Sequence, residues 1–279
     1  LQYDTRQEHT LNNRQIAFIG AGNMANSLIR GLLAKGVAAS LIHASDIDSN
    51  KLQALQAECG IQTGDTAKVA AGADVIILAV KPQVMGKVCA SLQPLITQPD
   101  CMVMSIAAGI PLLSLEQWLG ANRAIVRCMP NTPSLVGEGA TGLYANAQCN
   151  NEHKQLAGEI MTAVGIACWL QAEKDIDAVT ALSGSGPAYY FLMMEAMEKA
   201  AVDMGLAPGI ARQLSIQTAL GAGKLAALSE VAPAELRRQV TSPGGTTEQA
   251  LLSFENQGFA QTVAKAMLAA QQRATELAK

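Results

Sequence analysis

The residues best placed to do chemistry begin with Gly20-Ala21-Gly22-Asn23-Met24-Ala25, directly behind the apolar run Gln15-Ile16-Ala17-Phe18-Ile19. Two glycines spaced by one residue, between a strand and a helix, make a phosphate cradle. Gly20 permits the tight turn, and Gly22 presents no side chain to an approaching pyrophosphate. Ala25 takes the third small position, where helix and strand pack closely. The N–H groups and dipole of the helix start, with Asn23 and Met24 in its first turn, attract the phosphates. The strand-turn-helix context makes this a dinucleotide site rather than a chance glycine pattern.

Further strand ends should line the same crevice, because ligands of open α/β sheets sit off the carboxyl ends of strands. Ala79-Val80-Lys81-Pro82 closes one strand and Ser105-Ile106-Ala107-Ala108-Gly109 closes the next. Small residues such as Ala107 and Ala108 let a flat nicotinamide lie close. The stretch His43 to Lys51 should select the ribose. Asp46 points to NAD through the 2′-hydroxyl, whereas Ser45, Ser49, Asn50 and Lys51 suit a 2′-phosphate, so both cofactors stay open.

Other candidate chemistries find less support. Leu182-Ser183-Gly184-Ser185-Gly186 lacks the G-x-S-x-G pattern of a nucleophile elbow, and no histidine lies nearby in sequence. His9, His43 and His153 match no metal-ligand spacing, so no metal is expected. Cys59, Cys89, Cys101, Cys128, Cys149 and Cys168 contain no C-x-x-C pair and read as reduced thiols of a cytoplasmic protein. The formal charge of −3, without blocks of like charge, offers neither a nucleic-acid face nor a polybasic membrane anchor. No apolar run approaches the roughly 20 residues of a membrane span.

The elements that must position these residues follow from hydrophobic spacing. The polar stretch 1–13 reads as a frayed, disordered tail without the apolar core of a signal peptide. Strands are predicted at Gln15–Ile19, Ala39–Ser45, Val75–Val80, Met102–Ile106 and Ala124–Cys128. Helices are predicted at Met24–Lys35, Asn50–Cys59 and Leu112–Leu119. Strands apolar on both faces, alternating with helices, imply an α/β fold with a parallel sheet covered by helices. From Pro187 onward the pattern is almost wholly helical, punctuated by Gly205, Pro208, Pro233 and Pro243-Gly244-Gly245. The helix Ala188–Met204 is apolar nearly all round, so it belongs in a large core or a subunit contact. The expected division is a tail over 1–13, a nucleotide-binding domain over 14–172 and a helical domain over 173–279.

Several segments together resemble the pyrroline-5-carboxylate reductase family. They are the Gly20–Ala25 turn, Ala79-Val80-Lys81-Pro82, Ser105–Gly109, Met129-Pro130-Asn131-Thr132-Pro133, Leu182–Tyr189 and Thr241-Ser242-Pro243-Gly244-Gly245-Thr246-Thr247, in the family's order. The resemblance implies a Rossmann-type domain, then an all-helical dimerisation domain, in a homo-oligomer of intertwined dimers. It implies reduction of 1-pyrroline-5-carboxylate to L-proline with NADPH or NADH, the last step of proline biosynthesis. It makes Ser45, Ala79, Lys81 and Ala108 cofactor neighbours, and Glu173, Val240, Thr246 and Thr247 substrate neighbours. Two positions depart from the pattern. Thr66 stands where the family often carries asparagine, and Asp46 is more acidic than a strictly NADP-selective site suggests.

Such a substrate carries a carboxylate and a ring imine. The glycine-rich turn before the helix predicted at Thr246–Asn256 offers free N–H groups, so the backbone of Gly244, Gly245, Thr246 and Thr247 should hold the carboxylate. The Thr247 hydroxyl is the expected partner of the ring nitrogen, with water supplying the proton. Two other readings fit parts of the chain. A 3-hydroxyacid dehydrogenase would want a lysine early in the helix after Gly186, where the first is Lys199. A non-catalytic dinucleotide sensor would bind the cofactor without turnover.

Overall fold

The computed structural model describes residues 10–278. These form two compact units: the residues up to Ser185 together with those from Ala270 onward, and Gly186–Ala269.

The first unit is built on a sheet whose strands are β1 (Ile16–Ile19), β2 (Ile42–Ser45), β3 (Gln62–Thr63), β4 (Val75–Leu78), β5 (Met102–Ser105), β6 (Ile125–Met129), β7 (Gly139–Ala145) and β8 (Gly165–Trp169). Their spatial order is β3-β2-β1-β4-β5-β6-β7-β8. β1 to β6 are mutually parallel; β7 runs antiparallel to β6, and β8 parallel to β7. The order reverses between β1 and β4, the kind of switch point where such sheets open a crevice.

The helices of this unit are α1 (Asn23–Ala34), α2 (Ser49–Cys59), α3 (Thr66–Ala70), α4 (Pro82–Leu92), α5 (Leu112–Leu119), α6 (Asn151–Thr162) and α7 (Asp175–Val179). Strand alternation divides the core between the two faces. Phe18, Ile77, Met104 and Val126 pack with Leu28, Ile29 and Leu32 of α1 and Leu156 and Ile160 of α6. Ile19, Ile76, Leu78 and Val103 pack with Met85 and Leu92 of α4 and Leu112 and Leu115 of α5. Both faces are covered, which is why β1, β4 and β5 are apolar at nearly every position.

The second unit holds α8 (Gly186–Asp203), α9 (Pro208–Leu228), α10 (Pro233–Gln239) and α11 (Thr246–Asn256), and the first part of α12 (Phe259–Leu277). α8 and α9 form an antiparallel-type hairpin closed in part by the Ser215 hydroxyl, which donates to the Met194 carbonyl (3.1 Å). Much of the apolar surface of this unit faces outward: Phe191 is 62% exposed, Leu192 65% and Met204 79%.

Several expectations are corrected by the structure. Thr10–Asn13 is a 3₁₀ turn with Leu11 buried, not part of a disordered tail; residues 1–9 lie outside the described residues. The second strand begins at Ile42, since Ala39–Leu41 is a 3₁₀ turn. The compact units keep 173–185 and the end of α12 with the sheet. The five predicted strands run parallel as expected, and β7, beyond them, returns against β6.

Candidate active site

Four strand ends converge on the glycine turn. Gly20 N–H donates to the Ser45 carbonyl (2.8 Å), and Ala79 N–H donates to the Ile19 carbonyl (2.8 Å). Ile106 N–H donates to the Leu78 carbonyl (3.2 Å). Gly20, Ser45, Ala79 and the Ala107-Ala108 stretch therefore lie along one edge of the sheet. Glycine is required at position 20: its φ is +104°, and a Cβ there would come within 2.5 Å of the Ala79 carbonyl oxygen. Around Gly22 the requirement has a different origin. It caps α1 with φ −75°, and a Cβ would meet nothing within 4 Å. No protein atom needs that space, so it is free for a ligand.

The remaining cofactor candidates stand at the helix start and strand ends beside this turn. Asn23 and Met24 open α1, whose first N–H groups have no acceptor within the helix. Val80 is half-buried; Lys81 caps α4 and Pro82 is its first residue, where a missing N–H costs nothing. Ala107 is buried and Ala108 exposed. At the end of β2 the Ser45 and Thr66 hydroxyls lie 3.4 Å apart. Both oxygens of Asp46 are engaged by backbone, one by Ala21 N–H (2.7 Å) and the other by Asp48 N–H (2.9 Å). Asp46 thus ties the glycine turn to the end of β2, a role that spacing alone did not reveal.

Two other motif segments meet beside β6. Asn131 donates through Nδ2 to the Ser183 carbonyl (3.0 Å) and accepts from Ala140 N–H through Oδ1 (2.9 Å). Thr180–Gly184 forms a π-helical turn, a local widening often found at functional sites. The Ser183 hydroxyl donates back to the Val179 carbonyl (3.1 Å), so it is turned to its own helix. A Cβ on Gly184 would lie 2.5 Å from the end of Met129. Glycine there admits that side chain.

Of the substrate candidates, Glu173 belongs to the first unit. Its Oε1 accepts from Leu112 N–H (2.7 Å) and from Arg127 Nη1 (2.9 Å). Val240, Gly244, Gly245, Thr246 and Thr247 belong to the second. There Gly244 has φ +71°, and its N–H donates to Glu248 Oε2 (2.8 Å). Gly245 N–H donates to the Ser242 carbonyl (3.0 Å). Two of the four amides expected to face a carboxylate are therefore engaged within the turn. Thr246 and Thr247 are the first two residues of α11, and a helix supplies no acceptor for N–H groups at these positions. Glu248, not foreseen from the sequence, occupies the place of an anion on Gly244.

The cysteines and histidines take no part in this arrangement. Burial pushes the Cys89 and Cys149 thiols up to about 11 and Cys101 up to about 12. Cys128 is raised further by the same cause. His153 is spent on the start of α6, where it and Asn150 cap each other's backbone. Among the described residues no group of three or more His, Cys, Asp and Glu could hold a metal ion, and no helix is long and apolar enough to cross a membrane.

Comparison with known proteins agrees with this geometry. Residues 173–277 match a family model described as pyrroline-5-carboxylate reductase dimerisation. Residues 15–109 match one described as NADP oxidoreductase coenzyme F420-dependent. A pyrroline-5-carboxylate reductase of Pseudomonas aeruginosa is 54% identical over 266 residues, covering 95% of this chain and 97% of that protein. The solved structure of a pyrroline-5-carboxylate reductase from Coxiella burnetii is similar with TM-score 0.93 and 44% identity, covering 96% of this chain and all of the other (100%). That of the Plasmodium falciparum pyrroline carboxylate reductase with NADP bound has TM-score 0.84 and 29% identity over 96% of this chain and 100% of that one. With a glycine cradle at the switch point, a helical second unit and this degree of likeness over nearly its whole length, the chain belongs to the pyrroline-5-carboxylate reductase family.

Proposed function

We propose that the protein reduces 1-pyrroline-5-carboxylate to L-proline, the last step of proline biosynthesis, with NADPH as the preferred hydride donor and NADH as a possible one. The family supports the reaction. The observation that carries the site is the open space at Gly22 beside the forced glycine at Gly20. A cradle closed to side chains at one glycine and clear at the next fits a pyrophosphate. Gly20, Gly22, Asn23 and Met24 would hold it, with Ser45 at the ribose and Ala79, Val80, Lys81, Pro82, Ala107 and Ala108 toward the nicotinamide. When bound, the nicotinamide supplies a hydride.

The protein's own part is binding, orientation and protonation. The Thr246 and Thr247 amides hold the substrate carboxylate, with Val240 beside them. A protonated imine is already electrophilic, so positioning carries much of the catalysis; it can lower a barrier by about 7 to 11 kcal/mol. Thr247 Oγ1 supports the proton on the ring nitrogen, which a threonine cannot supply alone and water delivers. The preference for NADPH rests on Asp46, whose oxygens are both held by backbone N–H groups, and on the Ser45 and Thr66 hydroxyls at the end of β2. A second copy covers the outward apolar faces of α8 and α9, making the enzyme a homo-oligomer through its helical unit. We place it in the cytoplasm.

Steady-state rates with the two cofactors test this reading. It expects turnover with 1-pyrroline-5-carboxylate and a higher kcat/KM for NADPH. Equal or better use of NADH would overturn the cofactor assignment, and binding without turnover would make the protein a sensor.

A further inference from the structure

We infer that the ion pair of buried Arg127 and half-buried Glu173 is a positioning device for the Ala107-Ala108 backbone, an inference that rests on the reading of that stretch as the nicotinamide seat. Arg127 lies within β6, 4% exposed, in register with Ser105 of β5 and Tyr144 of β7. A cation at such a position is costly even when paired, and an apolar residue commonly serves stability as well or better. The pairing is also incomplete, because Arg127 Nε has no hydrogen-bond partner among the described residues. Stability alone therefore does not explain the arginine.

The second function of the pair is at α5. The N-cap of that helix is Pro111, which has no side-chain acceptor to offer. The Leu112 N–H would be left without a partner inside the helix. Glu173, 61 residues away in sequence, fills the place: its Oε1 takes this N–H at 2.7 Å and Arg127 Nη1 at 2.9 Å. The connection from β5 to α5 is thus pinned at both ends. Ile106 N–H is held by the Leu78 carbonyl at the front, and Leu112 N–H by Glu173 at the back. Between them stand buried Ala107, exposed Ala108 and Gly109, whose φ is +75°. Arg127 fixes the carboxylate, the carboxylate fixes the helix start, and the helix start fixes the segment that carries exposed Ala108. Glu173 serves the site by this route rather than by touching substrate.

The test uses Glu173→Gln, Glu173→Ala, Arg127→Met and Arg127→Lys in the full-length protein. Amide hydrogen exchange over residues 106–113 is read beside affinities for NADPH and for adenosine 2′,5′-bisphosphate, which carries only the adenine half. Glu173→Ala and Arg127→Met should speed exchange over 106–113 while leaving 20–25 protected. NADPH affinity should fall by about tenfold and that of the adenine fragment by less than twofold. The double variant should be no worse than the poorer single one, as for residues acting through one contact. Glu173→Gln and Arg127→Lys, gentler on the fold, should shift the same readouts in the same direction. Equal losses for both ligands, additive effects, or a raised KM for 1-pyrroline-5-carboxylate with 106–113 still protected would overturn the inference, the last by making Glu173 a substrate ligand. Exchange and cofactor binding are read without turnover, so they stand or fall apart from the assigned reaction.

Discussion

Substitution at the two glycines of the cradle should separate folding from cofactor binding. Gly20→Ala puts a Cβ 2.5 Å from the Ala79 carbonyl oxygen and 2.8 Å from its carbon, on a backbone at φ +104°. Strained backbone of this kind costs about 1 to 3 kcal/mol for a non-glycine residue, before the clash with β4 is added. A total near 3 kcal/mol is expected, which lowers Tm by roughly 6 to 12 °C in a domain of this size. Gly22→Val meets no atom within 4 Å, and its φ of −75° and ψ of −178° suit a valine. Losing a glycine N-cap costs helix α1 no more than about 1 kcal/mol, so Tm should fall by only a few degrees. The branched side chain instead occupies the space assigned to the pyrophosphate. Affinity for NADPH should drop at least tenfold, about 1.4 kcal/mol. Thermal unfolding and a fluorescence titration of NADPH read the two effects. Wild-type affinity in a folded Gly22→Val protein would refute the assignment of the cradle, and equal Tm losses in both variants would refute the distinction between the glycines.

Three further outcomes follow from the same structure. Thr247→Val should lower kcat and kcat/KM together by roughly ten- to hundredfold, the size of one hydrogen bond to a charged group. Thr247→Ser should recover most of the loss, and a raised KM with unchanged kcat would make Thr247 a binding residue. Sedimentation at micromolar concentration should show a dimer or larger, because the exposed Phe191, Leu192 and Met204 need covering; a stable, active monomer would contradict this. Burial, with Lys68 adding to it, holds the His43 imidazole below its usual range against an opposing bond to the Ser40 carbonyl. Between the folded pKa and the unfolded value of about 6.5 the unfolded chain binds more protons, so stability falls as pH drops through that window. His43→Gln should flatten this part of the pH–stability profile, and an unchanged slope in urea titrations would show that His43 does not contribute.

Legibility of the sequence varied with the kind of force at work. β1, β4 and β5 were readable because burial on both faces leaves runs such as Val75-Ile76-Ile77-Leu78. α5 and α11 begin and end as predicted, one behind a proline and one behind a glycine turn. β7 and β8 were missed because Gly139, Gly142 and Gly165 weaken their strand pattern. Gly139 and Gly165 are glycines so that the two backbones can approach: a Cβ on Gly165 would lie 2.0 Å from the Gly139 carbonyl oxygen. Gly142 likewise clears Val179, where a Cβ would stand 2.9 Å away. α6 did carry a local signal, since Asn150 and His153 form its capping box ahead of Leu156 and Ile160, which are buried.

At the site, the cradle was legible because its spacing is local. The engagement of Asp46 with Ala21, of Glu248 with Gly244, and of Glu173 with Arg127 was not. Asp46 and Glu173 act across 25 and 46 residues, and such pairings follow only from the assembled sheet. The Glu248 contact is short-range, but the sequence reading treated that turn only as a donor of N–H groups.

The claim that hydride passes from the nicotinamide to the ring imine is tested most directly with NADPH deuterated at both C4 positions. Incubated with the protein and 1-pyrroline-5-carboxylate in ordinary water, it should yield proline carrying one deuterium at C5, in a one-to-one ratio with the NADPH consumed. Proline without deuterium at C5, or no proline at all while the cofactor stays bound, would contradict the account.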